Sequence, residues 1–147
     1  MHGLLLALHI LAATIWTGGH IILSCVILPR VLKHRDAKAL EQFESAYEKI
    51  GMPALVIQII TGLMLAYTLL PDVGLWFDFS NPLAHGIVAK LTLLALTVLF
   101  ALDARFRVVP KLSADNLVDM AWHIVPVTVF SILFVLVGVS FRTGWLG

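Results

Sequence analysis

Four histidines set along apolar stretches are the residues of this chain best suited to chemistry. His9 and His20 lie eleven residues apart on the first stretch, His85 opens the third, and His123 opens the fourth. Imidazole ligates both haem iron and copper, and ionisable groups at membrane depth are costly enough to be functional suspects by default. Successive spans alternate in direction. His9 and His85 are therefore expected near one membrane face, and His20 and His123 toward the other. This predicts two metal-ligating pairs, one per leaflet. At about 100° per residue, positions seven and eleven apart nearly align, so His2, His9, Trp16 and His20 share a helix face. The axial separation of His9 and His20 is about 16 Å at a rise of 1.5 Å per residue, enough to stack two haems.

Other residues would complete such sites. Gly18 and Gly19 precede His20, where missing side chains would admit a flat macrocycle or a close helix neighbour. Trp16 lies on the same face. Asp103 falls five helical turns beyond His85 and would accept a proton from the far nitrogen of His20 or His123, or else simply end the span beside Arg105 and Arg107. Lys90, about five residues into the third span, is the expected catalytic residue, by steering an anionic group or relaying a proton; Asp78 and Asn81 are its candidate partners. The bland reading of Lys90 is a side chain snorkelling to the interface. His34 reads as solvated, Gln58 as an interhelical hydrogen bond, and Cys25 as packing. The methionines do not cluster as a soft copper site would require.

The elements that must position these residues are membrane helices. The chain has 147 residues, 60% hydrophobic and 13% charged, with mean hydropathy +0.97, which excludes an ordinary soluble domain. A single cysteine excludes a disulfide framework, and a net charge of +1 gives no case for nucleic acid. No cleaved targeting peptide is expected. Spans are predicted over about 4–28, 53–70, 83–102 and 120–141, with Pro29-Arg30 stopping the first and Pro53 opening the second. Between them, Leu40, Phe43, Ala46, Tyr47 and Ile50 recur every three or four positions, predicting a short amphipathic interfacial helix. Trp76, Phe77 and Phe79 are expected at the lipid headgroups. Lys and Arg concentrate in the loops after spans one and three, which predicts both termini outside. The fold class is thus all-α, a single-domain four-helix membrane bundle, N-out and C-out, with a short cytoplasmic amphipathic helix.

The stretch HILAATIWTGGH resembles the opening helix of the CopD family of small bacterial membrane proteins named from copper resistance. More loosely, the chain is similar to the HemJ-type protoporphyrinogen oxidases, which bind haem b. That likeness rests on the His9-to-Trp16 spacing, LPR at 28–30, MPALVIQIITGLML, Lys90 in HGIVAKL, and HIVPV. The HemJ likeness implies haem binding at His9 with Lys90 nearby, and tetrapyrrole oxidation as one activity. The CopD likeness implies copper binding or transport, with His2, His9 and His85 as an outward site. The leading expectation combines these with the histidine pairs. It is a redox protein of the bacterial inner membrane holding one or two haem b groups, passing electrons between a quinol and an acceptor. Its enzymatic class and homo-oligomerisation are left open. Copper is the alternative cofactor, and membrane lipid and quinone are the expected partners.

Overall fold

The computed structural model describes residues 2–145. The first helix, α1, runs from His2 to Ile22, passes through a π-helical turn at Leu23–Ile27 and continues as α2, Leu28–His34. Pro29 therefore does not stop the span. It sits in the first turn of α2, where a missing N–H is harmless, and the wider π turn accommodates its ring. The run ends at Arg35, whose φ of 52° reverses the chain. Asp36 then caps the next helix, its carboxylate accepting from Ala39 N–H at 3.0 Å.

The expected interfacial helix and second span are one helix, α3, Ala37–Leu69, with Pro53 inside it rather than at its start. Part of the amphipathic stripe packs inward, with Leu40 fully buried and Phe43 and Tyr47 partly so, while Ala46 and Ile50 stay exposed. A 3-10 turn at Val73–Phe77 follows. Trp76 is not a headgroup anchor. It is buried with its indole N–H donating to the Leu70 carbonyl at 2.8 Å, while Phe77 and Phe79 stay exposed. Asn81 caps α4, Pro82–Asp103, which continues through a π turn, Ala104–Val108, and a short 3-10 turn. The last helix, α5, spans Leu117–Thr143 and carries Pro126 internally.

Among the described residues, four helical runs are long and apolar enough to cross a membrane: His2–His34, Ala37–Leu69, Pro82–Lys111 and Leu117–Thr143. With no strand among the described residues, the protein is an all-α four-helix membrane bundle. Its outer surface is apolar, with Leu4, Ile60, Leu99 and Val118 all more than half exposed, as lipid contact requires. In packing order, α3 lies on α1, α1 on α5, and α5 on α4, whereas α3 and α4 barely touch. This leaves a seam between α3 and α4. One end of the bundle, the basic end, holds the two Lys/Arg-rich connections; the other, the terminal end, holds His2, Thr143 and the loop at 70–81.

The basic end has the larger core, in which Leu23, Val31, Leu40, Val108 and Met120 meet. Small polar side chains bind the helices at mid-depth. Ser24 and Thr128 hydroxyls are 2.5 Å apart, and Thr128 donates to the His20 and Ile124 carbonyls, hydrogen bonds of the kind that hold membrane helices together.

Candidate functional site

Two cavities lie along the face of α1 that carries His9, Trp16 and His20, and Trp16 lines both. The terminal-end cavity, about 60 Å³, is walled by His9, Trp16, Gln58, Lys90 and apolar side chains from α3, α4 and α5. The basic-end cavity, about 400 Å³, is walled by His20, His123, Glu41, Glu44, Tyr47, Glu48 and Arg105, among others.

Each histidine's chemistry follows from its partners, which fix the tautomer. His9 Nδ1 lies 2.9 Å from the Thr61 hydroxyl. That hydroxyl donates to the Ile57 carbonyl at 2.6 Å, so it must accept from His9, leaving Nε2 unprotonated. Gly62 makes room, since an added Cβ there would lie 3.1 Å from His9 Cε1. His20 Nδ1 donates to the Trp16 carbonyl at 2.8 Å. It too keeps an uncommitted Nε2, on a ring set 4.4 Å from Trp16 and edge-on to Tyr47.

His123 is different. Its Nδ1 donates to the Asp119 carbonyl at 2.8 Å, and its Nε2 lies 2.5 Å from Asp103 Oδ2. Both nitrogens face oxygen acceptors, so neither is left open toward the cavity. Asp103 also receives two hydrogen bonds from Arg107, which bridges to Asp119. It therefore meets His123, as one of the two sequence alternatives has it, and an arginine, as the other has it.

The structure brings His20 and His123 to one cavity but does not do so for His9 and His85. His85 lies five residues before Lys90, about 7.5 Å toward the terminal end, and lines neither cavity. Its Nε2 donates to the Phe79 carbonyl at 2.8 Å, and its ring stacks on Phe79. The outward copper triad of His2, His9 and His85 is likewise not assembled. Among the described residues no group of three or more His, Cys, Asp or Glu is placed to hold a metal ion.

Gly19 serves a helix neighbour, not a macrocycle. A Cβ there would overlap the Tyr47 ring, which also lies against Gly51. The Tyr47 hydroxyl donates to the Ile15 and Trp16 carbonyls, each at 3.0 Å, pinning α3 to α1. Gly18 faces open space. Lys90 finds neither suggested partner. Asn81 caps Leu83 N–H, and Asp78 accepts from the Ser80 hydroxyl and N–H, which hold its carboxyl below the usual range. The Lys90 ammonium instead lies 5.9 Å from the Phe141 ring centre. Gln58 makes no interhelical bond through its Oε1, which is buried and unpartnered. Cys25 is exposed on the helix surface rather than packed.

Sequence reasoning missed the acidic wall of the larger cavity. Glu41, Glu44 and Glu48 recur at intervals of three and four, which places them on one face of α3. That signal was present but lay in a segment assigned to the interface. Arg105 closes this wall by pairing with Glu48 at 2.6 Å.

A family model described as CopD, copper resistance protein D, matches residues 37–141. No curated protein and no solved structure matches the chain.

Proposed function

This chain belongs to the copper resistance protein D family, and we propose that it handles copper ions as cargo, taking the ion in the acidic basic-end cavity beside His20. The observation that carries this reading is the company His20 keeps. Its imidazole, with Nδ1 committed and Nε2 available, shares a cavity of about 400 Å³ with Glu41, Glu44 and Glu48 against the single cation Arg105. Imidazole and carboxylate donors suit Cu(II), and a cavity lined mainly by one sign of charge concentrates the opposite sign. The donors do not converge into a closed cage. Loose, partial coordination suits an ion that must leave again, whereas a resident cofactor would be held by three or four ligands. The membrane concerned is the bacterial cytoplasmic membrane, with the basic end inward by the Lys/Arg bias.

The haem b reading fits less well. The paired-histidine haem expected from the sequence needs two opposed imidazole lone pairs, and each cavity has one histidine with an uncommitted Nε2. His123 is held by Asp103, and His85 by the Phe79 carbonyl. Electron passage from a quinol through paired haems therefore has no ligand set in this arrangement, and no step is assigned to it.

The test is copper titration of the purified protein in nanodiscs, read by equilibrium dialysis, beside its visible spectrum. Retained copper that falls at least tenfold in affinity in His20→Ala, with a colourless protein, is the expected result. A reducible Soret band, or copper binding indifferent to His20→Ala, would overturn it.

A further inference from the structure

The terminal-end cavity is unlike the other. Lys90 lies within a span, yet no Asp or Glu lines this cavity, and among the described residues its ammonium makes no hydrogen bond or ion pair. Its one favourable contact is the distant Phe141 ring. Trp16, shared with the other cavity, and Gln58 both line this one, and each carries a buried, unpartnered polar atom, the indole N–H and Oε1. Buried polar groups are nearly always hydrogen-bonded, and each exception needs an explanation. Two such atoms beside a partly buried ammonium without an ion pair are the complement of a missing ligand.

The ligand's chemistry follows from theirs. A cation without a counter-charge in low dielectric calls for an anion. The indole adds a donor. The Gln58 amide offers an acceptor, or a donor if turned over. Apart from the His9 imidazole, the rest of the wall is apolar, including Leu55, Ile59, Ile87 and Leu91. About 60 Å³ admits a head group but not a chain, and α3 and α4 barely touch along the adjoining seam. We propose that this cavity binds the carboxylate of a single-chain amphiphile, such as a fatty acid, taken laterally from the bilayer, with Lys90 and Trp16 on the carboxylate and the chain lying in the α3–α4 seam. The site is separate from the copper cavity, and the proposal does not depend on the copper reading.

The experiment uses the whole protein in nanodiscs of zwitterionic lipid, with a spin-labelled stearic acid as probe and electron spin resonance as readout. Three competitors separate head from tail and bilayer from water. Oleate is expected to displace the probe, oleyl alcohol to be at least tenfold weaker, and acetate to have no effect at millimolar concentration. Lys90→Gln should weaken probe binding at least tenfold, and Lys90→Arg should restore most of it. Equal competition by oleyl alcohol would show that the charge is irrelevant and overturn the proposal. Displacement by acetate would assign the site to a small aqueous carboxylate and overturn the bilayer source. The competition series runs on the unmodified protein, so it decides the matter even where Lys90→Gln does not fold.

Discussion

The two cavities sit on one face of one helix, their histidines His9 and His20 about 16 Å apart along its axis, share Trp16 as a common wall, and have opposite electrostatics. At the basic end, three glutamates confront one arginine around an imidazole; at the terminal end, a lone ammonium stands beside an imidazole of the same tautomer. Both histidines are prepared alike, Nδ1 fixed by an oxygen acceptor and Nε2 left over. What differs is the company, and it decides which ion each site can take. On the readings proposed above, a metal cation is drawn to the first and repelled from the second, and an anionic head group is treated in the reverse way. Identical ligand chemistry therefore does not imply identical function.

The comparison breaks most completely at Gly19. Any side chain there collides with the Tyr47 ring that pins α3 to α1, and both cavities lie between these helices. Gly19→Val is expected to cost roughly 3 kcal/mol, the upper part of the overpacking range, read as a lowered denaturant midpoint in detergent. Wild-type stability would mean that Tyr47 does not seat α3.

A second test concerns only the basic end. His20→Ala removes the one imidazole lone pair in that cavity and should weaken copper binding at least tenfold, as the same dialysis would measure. Asp103→Ala acts in the opposite sense. It releases His123 Nε2 into the cavity that holds His20, and two available imidazoles should bind copper several-fold more tightly than one. Unchanged affinity would show that His123 remains engaged by another group. The variant also strips Arg107 of one of its two carboxylate partners, so a lower melting temperature should accompany the gain.

The smallest effect belongs to the terminal end. Thr61→Val deletes the acceptor that orients His9 and should cost about 1 kcal/mol or less, the usual worth of an interhelical side-chain hydrogen bond in a membrane. Copper binding at the basic end should be unaltered. A copper defect in this variant would show that the two cavities are energetically coupled.

Much of this protein follows from composition and periodicity alone. Long apolar runs have one low-energy outcome in a bilayer, a helix that satisfies every backbone group internally, so four spans and their alternating direction are legible without a fold. The shared face of His9, Trp16 and His20 is equally legible, because helical phase is a local property. Helix ends were less so. Pro29 and Pro53 read as boundaries, but a π turn at Leu23–Ile27 and packing along α1 carry the helices through both. Depth matching placed His123 with His20, and helical phase offered Asp103 as a partner for one of the two, but neither could say that Asp103 would take His123 Nε2 while the Asp119 carbonyl held its Nδ1, nor that Phe79 would hold His85 outside the cavity. The acidic wall was harder to place: the spacing of Glu41, Glu44 and Glu48 puts them on one face of α3, but that this face meets His20 depends on Tyr47 packing into the gap left by Gly19. Periodicity reports which residues share a face; which nitrogen keeps its lone pair and what charge surrounds it depend on contacts between helices distant in sequence, and only the packed bundle decides those.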